Sequence, residues 1–145
     1  MSIHEECGVF GVITPEQTDV AGISYFGLYA LQHRGQESCG IVVNDDGLFS
    51  SHKDTGLVSE VFSDDVLSKL PKGTMAVAHA RYGTTGGTNR RNCQPIEVNH
   101  QKGRMAIAHN GNLSNAVELR NESLLRGCRS RAHSCSHCQQ DLHHC

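Results

Sequence analysis

Short apolar runs separated by Gly, Pro and Asp clusters dominate the chain up to His109, and this pattern predicts strands more often than helices. Cys7 to Ile13 reads Cys-Gly-Val-Phe-Gly-Val-Ile and stops at Thr14-Pro15, which predicts a buried strand beginning almost at the terminus. Val20, Ile23, Phe26, Leu28, Ala30 and Leu31 recur at near-helical spacing and fade at Gly35, predicting a helix with one apolar face. A hairpin follows: Cys39 to Asn44, the turn Asp45-Asp46-Gly47, then Leu48 to Lys53. Ser63 can cap a short helix that runs to Leu70 and is closed by Pro71-Lys72-Gly73, after which Thr74 to His79 returns as a strand.

Tyr82 to Asn92 is rich in Gly, Thr and Asn and has no apolar period, which predicts a long loop of the kind that carries function between rigid strands. Pro95 to Asn99 and Arg104 to His109 read as two further strands hinged at Gln101-Lys102-Gly103. Asn110-Gly111-Asn112 signals a turn, and Ser114 or Asn115 opens a helix to about Arg126. Strands outnumber helices and several are hairpin-linked, so the expected class is α+β with layered sheets.

Composition narrows the function classes. A chain of 145 residues has the length of one domain, enough for one core and one active site. Lys and Arg number 13 against 15 Asp and Glu, without a basic stripe, so nucleic acid is not an expected partner. No apolar run approaches a bilayer span, and the acidic start Met-Ser-Ile-His-Glu-Glu is no signal peptide, so a cytoplasmic protein without membrane contact is expected. Cys7, Cys39 and Cys93 are scattered, whereas Cys128, Cys135, Cys138 and Cys145 crowd the end of the chain. There Leu142 and Ala132 are the only other apolar side chains. That stretch cannot contribute to a core and is expected to lack regular structure.

Four blocks can carry chemistry. Cys7 stands just before a strand; alone, such a cysteine is usually a small buried hydrophobe. Leu31-Gln32-His33-Arg34-Gly35-Gln36-Glu37-Ser38 ends an apolar helix, where His33 and Arg34 suit the negative end of the dipole. His79-Ala80-Arg81-Tyr82-Gly83-Thr84-Thr85-Gly86 ends a strand in an arginine able to grip a carboxylate, though a solvated strand end is the plainer explanation. Ala106-Ile107-Ala108-His109-Asn110-Gly111-Asn112-Leu113 brings an Asn amide and a Gly N–H to one turn, which can cradle an oxyanion or be merely a turn.

Taken in order, these blocks resemble the class II glutamine amidotransferases, members of the N-terminal-nucleophile hydrolases. The leader before Cys7, the run Leu-Gln-His-Arg-Gly-Gln-Glu-Ser, and Arg-Tyr-Gly-Thr-Thr-Gly-Gly followed by Asn92-Cys93-Gln94-Pro95 resemble the amidophosphoribosyltransferase family within that class. The resemblance covers about Ile3 to Glu122. It implies an αββα sandwich, incomplete at the C-terminus, with residues 1–6 removed as a leader and a partial glutaminase domain at 7–122. It further implies that Cys7 is the nucleophile, that Arg81 clamps the α-carboxylate of L-glutamine, and that Asn110 and Gly111 form the oxyanion hole. Thr84 would line the pocket and Arg34 would support the site from beneath. Freed by cleavage after Glu6, the α-amino group of Cys7 would titrate near 7.7–8.0 and serve as the base. The resemblance attaches ammonia transfer to 5-phosphoribosyl 1-diphosphate, magnesium and, in some members, an iron–sulfur cluster to a second domain. This chain would hold no cofactor or metal of its own, and full-length relatives would be homo-oligomers.

Past Glu122 the family pattern is lost. A segment resembling Thr-Ser-Asp-Thr-Glu, whose Asp takes the α-amino group of glutamine, would be expected; the chain instead reads Ser123-Leu124-Leu125-Arg126-Gly127-Cys128 and continues to His143-His144-Cys145. One explanation is a shifted reading frame near Ser123, which leaves a disordered tail at 123–145 and an inactive chain. The other is a zinc-binding appendage built on Cys135-x-x-Cys138 with His133, His137, His143, His144 and Cys145, or a non-catalytic fragment altogether.

Overall fold

The computed structural model describes residues 7–82, 90–101, 103–111, 114–115 and 117–122, without the side chain of Arg91. The predicted tail at 123–145, the leader at 1–6 and residues 83–89 of the predicted loop from Tyr82 to Asn92 lie outside the described residues, and that loop ends in a 3-10 turn, Arg90–Asn92.

The first strand, β1 (Gly8–Thr18), runs past Thr14-Pro15 instead of stopping there. It is an edge strand of a four-stranded antiparallel sheet ordered β1-β4-β2-β3, and its register slips between Ile13 and Thr18. A proline that cannot donate to a ladder is tolerated at such an edge irregularity, which is why it did not end the strand. Helix α1 (Val20–Ala30) follows, with the Asp19 carboxylate accepting the Gly22 N–H at 2.8 Å as its cap. β2 (Ser38–Asp45) and β3 (Leu48–Thr55) form the expected hairpin. Its turn is tighter than predicted, because Asp45 still pairs with Leu48 and only Asp46 and Gly47 turn. Both have positive φ, 46° and 87°, the requirement of a two-residue turn matched to strand twist.

A single-turn helix, α2 (Val58–Val61), was not foreseen, whereas α3 (Asp64–Lys69) sits where expected, with Ser63 capping it. β4 (Gly73–Arg81) lies between β1 and β2. Its alternation divides the sheet: Ala76, Ala78 and Ala80 face the helices, while Met75, Val77, His79 and Arg81 point the other way. The three alanines leave room for α1, and the core gathers Val20, Ala21, Leu28, Ile41, Val43 and Val58 with them. Each large buried aliphatic here contributes roughly 1.5–3 kcal/mol. The apolar face of α1 is therefore narrower than its sequence suggests. Val20, Ala21, Ser24 and Leu28 are buried, but Ile23 and Phe26 are exposed.

On the opposite face of the sheet lies a second hairpin, β5 (Ile96–His100) with β6 (Gly103–Ile107). Ser51 donates to the Glu97 carboxylate at 2.6 Å, Lys53 donates to the Pro95 carbonyl at 2.8 Å, and the Arg104 guanidinium stacks 5.1 Å above the Phe49 ring. A cavity of about 230 Å³ remains between them, lined by Val42, Phe49, Met75, Val77 and Met105. Val9, Ile13, Met75, Ile96, Val98, Met105 and Ile107 stay exposed, so the two sheets cover each other only in part. The residues through Asn110 thus supply a helix layer and two sheet layers. A second compact unit starts at Gly111, and residues 117–122 within it are helical, inside the predicted span from Ser114 or Asn115 to Arg126.

Candidate active site

Cys7 precedes β1, and the register that sets Gly8 opposite Ala80 brings it to the end of β4, at Arg81 and Tyr82. Its backbone is unusual: φ is 90°, a region that side chains beyond glycine rarely occupy and that costs on the order of 1–3 kcal/mol. Surrounding contacts hold it there. The Cys7 N–H donates to the Arg34 carbonyl at 2.8 Å, and the Arg34 Nε donates back to the Cys7 carbonyl at 3.0 Å. Asn110 Nδ2 reaches the same carbonyl at 3.4 Å. The sulfur accepts from the Tyr82 N–H at 3.4 Å and lies 3.9 Å from the Tyr82 carbonyl.

Arg34 owes this position to a 3-10 turn, Gln32–Arg34, which follows α1. The turn is seated on the sheet, since a Cβ at Gly35 would fall 2.5 Å from the Ala80 carbonyl group. Arg34, which the resemblance sets beneath the site, bonds the main chain of Cys7 through its Nε. Arg81 is nearly buried, and its guanidinium lies 3.8 Å from the Glu37 carboxylate. The Glu37 N–H also donates to the Arg81 carbonyl at 3.0 Å. Four of the expected site residues, Cys7, Arg34, Arg81 and Asn110, thus meet at one end of the sheet. Gly111 opens the second compact unit and has φ 149°, a conformation suited to glycine. Thr84 lies outside the described residues.

Three features carry no role in the sequence reading. Glu37 stands within the run Leu31 to Ser38, but its pairing with Arg81 depends on how β2 meets β4. Gln32 is the second. The third, His79, is fully buried on the strand that ends in Arg81. Burial holds its pKa down to about 4, helped by the positive charge of Arg81; the His109 backbone opposes the shift in part, yet neither ring nitrogen reaches a partner with full hydrogen-bond geometry among the described residues. Among the described residues no group of three or more His, Cys, Asp or Glu side chains gathers as metal ligands would, and the Cys/His tail lies outside them.

Cys39 provides an internal contrast with Cys7. It is 1% exposed, and burial, with the neighbouring Cys93, Asp54 and Glu60, pushes its thiol up to about 12. Only a thiolate attacks an alkylating reagent, so at pH 8 iodoacetamide is expected to modify Cys7 while Cys39 stays unmodified until the chain is denatured. Peptide mapping checks this, and equal labelling of both cysteines in the native chain would contradict the buried setting of Cys39.

Comparison with known proteins decides the family. The chain is 52% identical over 125 residues to the amidophosphoribosyltransferase of Synechocystis, covering 86% of this chain and 25% of that protein. It is 48% identical over 134 residues to the human amidophosphoribosyltransferase, covering 88% and 26%. The matched residues belong to the amidophosphoribosyltransferase family. Among solved structures, the allosteric regulatory enzyme of purine biosynthesis superimposes with a TM-score of 0.72 at 45% identity, over 82% of this chain and 25% of that one. The Bacillus subtilis glutamine phosphoribosylpyrophosphate amidotransferase, complexed with ADP and GMP, gives 0.69 at 42% identity over the same shares. These neighbours bear out the N-terminal-nucleophile sandwich class. No family model matches the chain. The chain spans about a quarter of the length of the relatives it matches.

Proposed function

We propose that residues 7–122 form the glutamine-hydrolysing part of an amidophosphoribosyltransferase, with Cys7 as nucleophile. The observation that carries this reading is the clamp on Cys7, whose main chain is held on both sides by Arg34 while its sulfur rests on the Tyr82 N–H at the end of the strand bearing Arg81. The strained φ of Cys7 is a torsion that exists only while residue 6 is attached, so removal of residues 1–6 releases the strain and frees the α-amino group.

In the proposed reaction Arg81 pairs with the α-carboxylate of L-glutamine, and Thr84 lines the pocket. The thiol proton of Cys7 passes to its own α-amino group as the sulfur bonds to the side-chain carbonyl carbon of glutamine. Asn110 Nδ2 and the Gly111 N–H receive the oxyanion. At 3.4 Å the Asn110 contact with the Cys7 carbonyl is long for an amide bond, which suits a donor that turns to substrate. The C–N bond then breaks, the nitrogen takes the proton and leaves as ammonia, and water hydrolyses the thioester to glutamate and free thiol.

Beyond the shared residues, relatives would use the ammonia to convert 5-phosphoribosyl 1-diphosphate into 5-phosphoribosylamine. That half would hold magnesium and, in some members, an iron–sulfur cluster; no donor cluster for either is present among the described residues, and no step above passes through them. A cytoplasmic, homo-oligomeric setting belongs to the same reading. Arg81→Lys tests the clamp without removing the charge that faces Glu37. Lysine lacks the two-pronged geometry for a carboxylate, so KM for glutamine is expected to rise on the order of tenfold with kcat within a few-fold, measured on a chain continued in the family's frame after Glu122. An unchanged KM would overturn the role given to Arg81.

A further inference from the structure

We propose that Gln32 is a positioning residue that locks the turn bearing Arg34, and through it the main chain of Cys7; the catalytic consequence rests on the reading of Cys7 as nucleophile. Both ends of the Gln32 amide are used at once. Its Nε2 donates to the Gly35 carbonyl, closing the turn on itself. Its Oε1 accepts from the Val58 N–H at 2.6 Å, and Val58 is fully buried at the first turn of α2. That N–H has no partner within its own helix, and Leu57 before it has no side chain able to cap it. Gln32 therefore satisfies an orphan helix donor and ties the turn to the core in one contact set.

The consequence follows from what the turn touches. One side is seated on the Ala80 and Arg81 main chain at Gly35, and the other is tied to α2 through Gln32. Between these two anchors stands Arg34, whose carbonyl accepts the Cys7 N–H and whose Nε donates to the Cys7 carbonyl. A Gln32 side chain that cannot bridge leaves the turn held on one side, and the Cys7 contacts open with it. Small displacements at a nucleophile lower the rate of the chemical step far more than they lower binding. Arg81, which the reading assigns to substrate binding, is held by the pairing of β4 with β1 and β2 on either side.

Amide hydrogen exchange on the 145-residue chain with residues 1–6 still attached, where Cys7 keeps its backbone amide, tests the mechanical part without any activity. In Gln32→Leu, protection of the Val58 and Cys7 amides is expected to fall on the order of tenfold or more, while that of Ile41 in the middle of β2 is unchanged. Gln32→Glu keeps the acceptor for Val58 but sets an anion against the Gly35 carbonyl, so Val58 stays protected and Cys7 does not. In a chain continued in frame after Glu122, both variants should lower kcat about tenfold with KM within about twofold. Loss of protection at Val58 with Cys7 unaffected would overturn the proposal, as would an equal loss at Ile41, which would mark Gln32 as a general stabiliser. Absence of Cys7-dependent hydrolysis in the unsubstituted chain would overturn the nucleophile reading instead, and the exchange result would still decide the role of Gln32 in the turn.

Discussion

Glutamate release from a chain continued in the family's frame after Glu122 is expected to fall on the order of a thousandfold or more when Cys7 becomes alanine, since the proposed reaction passes through its sulfur. The 145-residue chain is expected to release glutamate poorly or not at all even with Cys7 intact. On the proposed reading Arg81 holds one end of the substrate, but the Thr-Ser-Asp-Thr-Glu-like segment that would hold the ammonium is not found in residues 123–145. The lost contact alone is worth about 1.5–3 kcal/mol. Exposed Val9, Ile13, Met75, Ile96, Val98, Met105 and Ile107 add a second liability, because an apolar area of this kind favours association over weak turnover. A coupled assay on both chains, each with and without Cys7→Ala, checks all four expectations. Full activity from the 145-residue chain would refute the loss of the ammonium contact as a limiting defect.

The second large effect is on stability. His79 titrates near 4 in the folded chain and near 6.5 when free. Between these values the unfolded state binds the proton and the folded state does not, so stability rises with pH across the window and is lost as pH falls from about 6.5 to about 4. The total is on the order of 3 kcal/mol, levelling off below pH 4 as far as this group is concerned. Arg81 and His109 flank the imidazole, and a second positive charge there finds no compensating carboxylate among its named neighbours. Urea unfolding at a series of pH values, compared with His79→Gln, isolates the contribution as a difference in slope. Parallel curves for the two proteins would show that His79 is not the group responsible.

What the sequence revealed depended on whether local chemistry or tertiary context decided each element. The β2–β3 hairpin was legible because Asp46 and Gly47 supply the positive φ values that its turn demands. The end of β1 was not, because Pro15 breaks a central strand but not an edge one, and edge position follows from sheet order. Ile23 and Phe26 looked like core, yet the alanine-lined face of β4 accepts only the narrow stripe of Val20, Ala21, Ser24 and Leu28. Helix α2 is a single turn and leaves no period to read. At the site, Cys7, Arg34, Arg81 and Asn110 were named because whole motifs carried them, whereas Glu37 and Gln32 act through partners set by the meeting of separate elements. The Cys/His tail lies outside the described residues, and the choice between an out-of-frame segment and a zinc site passes to the coding DNA after Glu122.

The most direct test of the central claim is mass spectrometry of the in-frame chain, quenched in acid during steady turnover of glutamine. The expected species is a chain that begins at Cys7 and carries a glutamyl thioester on that residue, absent from Cys7→Ala. Turnover by a chain that retains Met1, or an acyl group found on any other residue, would contradict it.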